Sequence, residues 1–384
     1  MDALNSQQQY WLSLWHISGV GPKTYAKLTH FASKEALFDS DLTQRKSLSL
    51  PERTFKQVIS QYDAGEKSMH QTLAWLNQSP RHFIRFPDDA SYPERLRQIA
   101  QPPVLFGRGD PDVLNTLQIA VVGSRNANEM SLRHAFDLSQ GLAAHQITIT
   151  SGLAYGIDSA SHKGCLMANG KTIAVLGSAV DHIYPKANSR LADQIVESEG
   201  AVISEFSLGT PPKPAHFPQR NRIISGLCES VLVVEAAIKS GSLITAKYAL
   251  EQNRDVFAIP GSVNDPNKQG CHQLIKQGAV LVDELQDILT PIGMKFQIDF
   301  EVANQQAGSQ SSEVATSPVE GEPELPADER QLLSALSFDQ GKTLDALMVE
   351  SGITHSALVM QRIQQWVLSG QVIESHPGAY IRLK

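Results

Sequence analysis

Cysteine is scarce in the sequence, and its distribution excludes two common kinds of site. The three cysteines, Cys165, Cys228 and Cys271, are widely separated, and none belongs to a Cys-x-x-Cys pair. This pattern argues against a zinc site and against a disulfide framework, and it is typical of buried thiols in a reducing compartment. We therefore predict that the protein holds no metal.

Long hydrophobic runs are also missing. No apolar stretch reaches the roughly 18 residues that a membrane-spanning helix needs. The amino-terminal segment MDALNSQQQYWLSLWHISG has no basic start followed by an apolar run, so it does not resemble a signal peptide. We expect a cytoplasmic protein that does not act at a membrane.

Positive charge is in deficit. The chain has 33 lysines and arginines against 40 aspartates and glutamates, and its formal net charge is -7. This balance excludes a surface that is basic all over. It leaves room for a local basic groove, which can hold a phosphate backbone even on an acidic protein.

The usual nucleotide-binding motifs are absent as well. No Gly-x-Gly-x-x-Gly follows the first predicted strand, which argues against a dinucleotide, and we predict no cofactor. The sequence NGKT at 169–172 resembles the end of a P-loop. However, Cys165 stands where the first glycine should be, and a strand follows instead of a helix. We interpret NGKT as a helix end that leads into a strand.

The chain has 384 residues, too many for one ordinary core, and its patterns divide it into four segments. Residues 1–80 look helical and contain ISGVGPKTYAKLTHF, which resembles a helix-hairpin-helix motif; a purely structural helix-turn-helix is the alternative. Residues 81–290 alternate strands and helices. Residues 291–326 are rich in Ser, Gln, Glu and Pro and predict a flexible linker. Residues 327–384 predict a winged-helix domain, with its recognition helix beginning near Thr354.

Short apolar and β-branched runs recur within residues 81–290, each followed by a loop of small residues. Nearly all-apolar strands that alternate with helices indicate a parallel sheet covered on both faces, here a Rossmann-like α/β domain. One of the helices is predicted at 242–253. The predicted strands are residues 119–125, 147–152, 172–178, 201–206, 231–236 and 256–261.

In a sheet of this kind ligands bind at the carboxyl ends of the strands, so the loops that follow the strands lie close together. Three of these loops offer backbone N–H groups just before predicted helices, where an anion is favoured. They are Gly123-Ser124-Arg125, Ser151-Gly152 and Ser240-Gly241-Ser242. The combination predicts a phosphate-binding surface, to which full positive charge is added by Arg125, Lys186, Lys213, Arg220 and Arg222.

The stretch FPQRNRIISG, residues 217–226, places an aromatic ring beside two arginines and an asparagine. A nucleobase could stack on Phe217 while phosphates meet the guanidinium groups, as in single-stranded nucleic-acid binding. The alternative is that Phe217 anchors a loop and that Arg220 and Arg222 pair with Glu205 or Glu235. The residue types leave both interpretations open.

Candidate catalytic residues are few. His162 stands alone on a predicted helix, where a structural or hydrogen-bonding role is favoured. Asp158 and Glu205 are the one modest pair of carboxylates, and Asp158 is better explained as a brace for the loop before its helix. Since no nucleophile, base and orienting group come together, we expect a protein that is not an enzyme. A nucleotide-processing hydrolase is the alternative, because Rossmann-like sheets with phosphate loops also serve such enzymes.

An ordered series of segments resembles the DNA-processing protein A family (DprA, also called Smf). The series is GSR, SGLAYGID, TIAVLGSAVDHIYPKAN, SEF, FPQRNRIISGL, VLVVEAAIKSGSLITAKYALEQNRDVFAIPG and GCHQLIKQGA. The resemblance implies an N-terminal helical SAM-like domain, a Rossmann-like core and a C-terminal winged helix. It also implies a cytoplasmic protein that binds and protects incoming single-stranded DNA during natural transformation, after DNA uptake by competent cells.

The same resemblance implies partners and a DNA-binding pocket. The implied partners are single-stranded DNA, RecA, which the protein would load onto that DNA, single-strand-binding protein, and a second copy in a homodimer. In the loop GSAVD at 177–181, Ala179 replaces a glycine that is usual in the family. This replacement weakens any role of the loop as a donor of backbone N–H groups. The implied DNA-binding residues are Gly123, Ser124, Arg125, Ser151, Gly152, Lys186, Phe217, Arg220, Asn221, Arg222, Ser240, Gly241 and Ser242.

Overall fold

The computed structural model describes residues 4–296 and, beyond them, residues 332, 335–336, 342–353, 359–360, 362–363, 366, 372–376 and 379–382. These residues fall into two compact units that divide between residues 310 and 311. None of the described helices is long and apolar enough to cross a membrane. The predicted linker from residue 297 to 326 lies outside the described residues.

The first unit begins with helices, as predicted for residues 1–80. The first helix starts at a capping box, in which Asn5 and Gln8 each accept a hydrogen bond from the other's backbone N–H. The helices share one hydrophobic cluster with Phe86 and Phe106 of the sheet region, so they pack directly on the sheet. Their assignment to a SAM-like domain stays a prediction. The helices are α1 (Ser6–Trp15), α2 (Pro22–Leu28), α3 (Lys34–Phe38), α4 (Leu42–Ser47) and α5 (Glu52–Leu76).

A nine-stranded sheet forms the centre of this unit, in the order β1-β2-β6-β5-β4-β3-β7-β8-β9. From β6 to β9 in that order, each strand is parallel to its neighbour. β2 pairs antiparallel with β6 on one side and with the edge strand β1 on the other. The strands are β1 (His82–Arg85), β2 (Leu105–Gly109), β3 (Gln118–Val122), β4 (Thr148–Ser151), β5 (Thr172–Val175), β6 (Ala201–Ser204), β7 (Ser230–Val233), β8 (Asp255–Ala258) and β9 (Val280–Leu281).

Helices connect the parallel strands and cover the sheet. In β7, Val231 and Val233 belong to one hydrophobic cluster and Leu232 to another, because alternate residues of a strand point to opposite faces. Both faces are therefore buried, as the apolar strands predict. The helices are α6 (Glu94–Arg97), α7 (Glu129–Ala144), α8 (Ile157–Met167), α9 (Ser189–Glu197), α10 (His216–Leu227), α11 (Ser242–Glu251), α12 (Gln269–Lys276) and α13 (Gln286–Phe296).

The predicted α/β pattern is confirmed in the sheet. Each of the six predicted strands contains most or all of one of the strands β3 to β8, and α11 lies within residues 242–253. The three cysteines are buried, and NGKT leads from the end of α8 into β5 as interpreted. One boundary is corrected: α13 continues to Phe296, past the predicted linker start at 291. It does so because Ile292 is buried in the core and Lys295 pairs with the buried Glu229.

The second unit contains a small sheet in the order β10-β12-β11. The predicted terminal hairpin is present, since β11 (Val372–His376) pairs antiparallel with β12 (Ala379–Arg382). β10 (Lys342–Thr343) precedes α14 (Leu344–Ser351), whose start is capped by Thr343. Residues 354–358, where the predicted recognition helix begins, lie outside the described residues. The winged helix therefore stays a prediction.

Candidate nucleic-acid interface

A crevice of about 740 Å³ opens at the carboxyl ends of the parallel strands. It lies where the connections from β3 and β7 diverge to opposite sides of the sheet. This is the topological switch point, the usual ligand site of such sheets. Three parts of the chain supply most of its lining: the loop after β3, the segment from the end of β7 into α11, and α10. We call this site the crevice.

The loop after β3 is held rigidly against the neighbouring elements. Ser124 N–H donates to the Glu235 carbonyl over 2.9 Å, and Ile157 N–H donates to the Ser124 carbonyl over 3.2 Å. The loop is thereby tied both to the end of β7 and to the start of α8. The next residue, Arg125, extends an exposed side chain at the rim of the crevice.

The start of α11 lies at one end of the crevice. Gly241 stands at the N-cap and has no side chain to bond the first N–H groups of the helix. On either side of Gly241, the hydroxyl groups of Ser240 and Ser242 are hydrogen-bonded to each other over 2.6 Å. The N–H groups of Ser240 and Ser242 already donate within the turn, to the Ala237 carbonyl over 2.9 Å and to the Ser240 hydroxyl over 3.3 Å. The predicted role of both residues as backbone donors is therefore not supported, and it is the helix dipole that favours an anion at this end of the crevice. Lys239, exposed at the rim, adds a full positive charge.

Phe217 places its ring beside this charged rim. The ring packs over Gly177, and the Arg125 guanidinium carbon lies 5.3 Å from the ring centroid. The Tyr184 ring lies next to it, with 5.7 Å between the centroids and an angle of 52° between the planes. An aromatic face and a positive charge thus lie side by side, as the base and phosphate of a nucleotide do.

Arg220 lies at the floor of the crevice and is only 4% exposed. Its Nη1 donates to the carbonyl of Gly152 over 2.8 Å and also to that of Val175, so it joins the ends of β4 and β5. Its Nε has no hydrogen-bond partner. Burial lowers the pKa of Arg220 to about 10, against the opposing effect of Asp158. The guanidinium therefore stays charged at neutral pH.

Asp158 braces the loop after β4, as the sequence indicates. Its Oδ2 accepts hydrogen bonds from the N–H groups of Gly152, over 3.1 Å, and Ala154, over 3.3 Å. Burial raises its pKa, while Arg220 and these hydrogen bonds oppose the rise. Ser151 is equally structural, because its buried hydroxyl donates to the Val121 carbonyl over 2.6 Å. The Ser151-Gly152 loop thus supports the crevice from below.

Arg222 points away from Arg220 and forms an ion pair with Glu205. Its Nη2 lies 2.6 Å from Glu205 Oε2, and the two side chains are 11% and 2% exposed. Burial raises the pKa of Glu205, and Arg222 opposes this rise. This is one of the two pairings that the sequence left open. Glu235 instead accepts a hydrogen bond from the Asn128 N–H over 3.4 Å.

The structure brings most of the predicted site residues together at the crevice. Those that line it are Gly123, Ser124, Arg125, Phe217, Arg220, Asn221, Ser240, Gly241 and Ser242. The predicted residues that do not line it are Ser151, Gly152, Lys186 and Arg222. Sequence analysis missed Asn126, Tyr184, Lys239 and Asn267, which also line the crevice. Position alone could have suggested Lys239, since it precedes Ser240, whereas no local signal marks Tyr184.

Comparison with known proteins identifies the family of the chain. Residues 83–293 match the sequence profile of the family described as DNA recombination-mediator protein A. The chain belongs to this family. The resemblance to the DNA-processing protein A family is thereby confirmed.

Two curated relatives show how far the likeness extends. Protein Smf of Escherichia coli is 42% identical over 281 residues, which cover 73% of this chain and 74% of the relative. The DNA processing protein DprA of Streptococcus pneumoniae is 48% identical over 214 residues, which cover 54% of this chain and 75% of the relative. The family therefore accounts for more than the sheet region alone.

Two solved structures have the same architecture. DNA processing protein A from S. pneumoniae aligns with a TM-score of 0.61 and 36% identity, covering 75% of this chain and 98% of that one. DNA processing protein A from Helicobacter pylori, studied for its single-stranded DNA binding mode, aligns with a TM-score of 0.50 and 26% identity. That alignment covers 56% of this chain and 97% of the H. pylori chain.

Proposed function

We propose that the crevice binds a single strand of DNA and that the protein is a cytoplasmic recombination mediator. One observation carries the proposal: an aromatic ring, exposed positive charges and the start of a helix meet at the switch point of the sheet. Bases stack on aromatic rings, and phosphates are attracted by cations and by the positive end of a helix dipole, so one site serves both parts of a strand. The single-stranded DNA binding mode of the H. pylori relative supports this assignment.

The division of roles follows from exposure. Arg125 and Lys239 are exposed at the rim and would meet phosphates, with the start of α11 at Gly241 beside them. Phe217 would stack on a base. Arg220 is buried and acts through its field and by fixing the loops after β4 and β5. Such an arrangement recognises the backbone and any base, so binding should tolerate many sequences.

The wider role extends the same proposal. The strand held in the crevice would be DNA that enters the cell in natural transformation. The protein would protect this strand and load RecA onto it, so that RecA replaces single-strand-binding protein. A homodimer would present two crevices to one long strand and increase avidity for it. Membership of a recombination-mediator family supports this role.

The nucleotide-hydrolase alternative gains no support from the site. Glu205 is held by Arg222 and is not among the residues that line the crevice. Asp158 is the one acidic residue among the described lining residues, and its Oδ2 already accepts two backbone N–H groups. The pair of carboxylates that would serve as acid and base is therefore not assembled in the crevice.

The test is a titration of a labelled single-stranded oligonucleotide followed by fluorescence anisotropy at several salt concentrations. We expect tight, salt-sensitive binding that duplex DNA and mononucleotides displace poorly. Efficient displacement by a mononucleotide, with weak strand binding, would show a small-molecule pocket instead. The mediator role is checked separately by RecA filament growth on strands coated with single-strand-binding protein, which the protein should accelerate.

A further inference from the structure

Two tyrosines beside the crevice are left exposed by the fold. Tyr155 is 50% exposed and Tyr184 is 45% exposed, although large aromatic side chains usually bury most of their surface. Tyr184 lines the crevice, and Tyr155 directly follows Ala154, which lines it as well. Exposed aromatic rings beside a site for single-stranded nucleic acid can serve as platforms on which further bases stack.

A buried asparagine holds the segments of these tyrosines together. The Nδ2 group of Asn188 donates to the Leu153 carbonyl over 2.8 Å and to the Ser159 hydroxyl over 2.9 Å. It is also 3.4 Å from the Ala154 carbonyl. Asn188 therefore ties the segment that carries Tyr184 to the loop after β4 that carries Tyr155. The chain segments that carry the two tyrosines are thus held together by an amide that is 9% exposed.

Positive charge accompanies the two rings. Lys186 is exposed, stands two residues after Tyr184 and begins the short 3-10 helix that ends at Asn188. It does not line the crevice, so the crevice alone gives it no role. We call Tyr155, Tyr184 and Lys186 together the tyrosine ledge.

We propose that the tyrosine ledge is a second binding surface for the same DNA strand, where it leaves the crevice. The Tyr184 ring is tilted by 52° from Phe217, so the two rings cannot stack in parallel on one base. They would instead receive bases in turn, with Tyr155 as the next platform and Lys186 beside the connecting phosphate. Exposed rings and a lysine on two segments that adjoin the crevice fit a nucleic-acid strand better than a folded protein partner. This inference rests on the proposed function of the crevice.

The test compares a thymidine trimer with a thymidine decamer, using the full chain and variants of the ledge. We expect the trimer to occupy the crevice alone and the decamer to reach the ledge. Tyr155→Leu and Tyr184→Leu keep apolar bulk but remove the ring, so each should bind the decamer about tenfold more weakly. Tyr155→Leu should bind the trimer nearly as the parent does, whereas Tyr184→Leu should weaken trimer binding as well, because Tyr184 also lines the crevice. Tyr155→Phe and Tyr184→Phe keep the ring and should match the parent with both strands.

A second measurement uses the unaltered protein. A decamer that carries 2-aminopurine at successive positions should show stacking-dependent quenching at positions outside the trimer footprint, and the Leu variants should lose that quenching. Equal decamer binding in parent and Leu variants, or loss of RecA loading alone, would overturn the ledge and leave the crevice standing. Failure of the unaltered protein to bind either strand would overturn the proposed function itself.

Discussion

Arg222 Nη2 lies 2.6 Å from Glu205 Oε2, in an ion pair that is largely excluded from solvent. Arg220, two residues earlier, instead donates to backbone carbonyls at the floor of the crevice. A step of two residues on an α-helix turns the side chain by about 200°, so the two arginines point to opposite sides of α10. Each one binds this helix to a different part of the fold. The helix thus presents Phe217 and Asn221 to the crevice from a fixed position.

The buried ion pair predicts a large loss of stability when one partner is removed. Arg222→Gln leaves the Glu205 carboxylate buried without its partner, which should lower the free energy of unfolding by about 3–5 kcal/mol. Urea unfolding measures the change. The double variant Glu205→Gln with Arg222→Gln removes both charges and should recover part of the loss. If Arg222→Gln kept its stability but bound DNA with a smaller salt dependence, Arg222 would be a phosphate contact instead.

The exposed rim charges predict a change in salt dependence. Arg125→Ala should weaken binding to any single strand and reduce the slope of log affinity against log salt by about 0.7 for one lost phosphate contact. Lys239→Ala should act in the same way. Arg133→Ala is a matched control, because Arg133 is 58% exposed on α7 and already pairs with Asp137. Equal slopes in the parent and both rim variants would place the DNA elsewhere on the protein.

The sequence allowed the parallel strands and most of the crevice to be predicted because both depend on local signals. Apolar strands followed by small-residue loops mark strand ends, and parallel topology brings those ends together. The direction in which a side chain points could not be predicted from such local signals. The sequence FPQRNR does not look helical, because it contains Pro218. Proline is nevertheless tolerated in the first turn of a helix, where the backbone N–H has no partner within the helix. Unless the helix is predicted, the sequence gives no reason to assign different roles to Arg220 and Arg222.

The edge of the sheet was missed for a related reason. β2 reads LFGRG, and its two glycines are poor strand formers. Gly107 pairs with Phe83 across the strands, and the Phe83 ring occupies the space where a side chain at Gly107 would stand. The glycine is thus explained by a residue of another strand, which no local pattern contains. Tyr184 was missed likewise, because its place in the crevice depends on packing against Phe217.

The buried His162 predicts a pH dependence of stability. Its Nδ1 lies 2.7 Å from the Thr172 hydroxyl, which itself donates to the Ile149 carbonyl over 2.6 Å. The Thr172 oxygen therefore accepts a hydrogen bond from Nδ1–H, and His162 is neutral with an unprotonated Nε2 that has no partner. Burial, helped by the charge of Arg220, lowers the pKa of His162 to about 3.

The sign of this effect follows from proton binding. Between about pH 6.5 and pH 3 the unfolded chain protonates this histidine and the folded protein does not. Stability should therefore fall as the pH falls through that window, by about 1.4 kcal/mol per pH unit from this group. His162→Gln should flatten urea-derived stability between pH 6 and pH 5 by roughly that amount. An unchanged slope would mean that the folded protein protonates His162.

Gly177 offers a way to move the Phe217 ring without removing it. A Cβ at this position would lie 2.8 Å from Cδ1 of Phe217, so Gly177→Ala should displace the ring from its position over residue 177. Phe217→Leu should weaken single-strand binding by about 1–3 kcal/mol with the salt slope unchanged, because stacking and not charge is lost. Gly177→Ala should weaken it in the same way. Since both changes remove one contact, the double variant should bind no more weakly than Phe217→Leu alone. Additive losses, measured by anisotropy, would show that Gly177 acts on binding by another route.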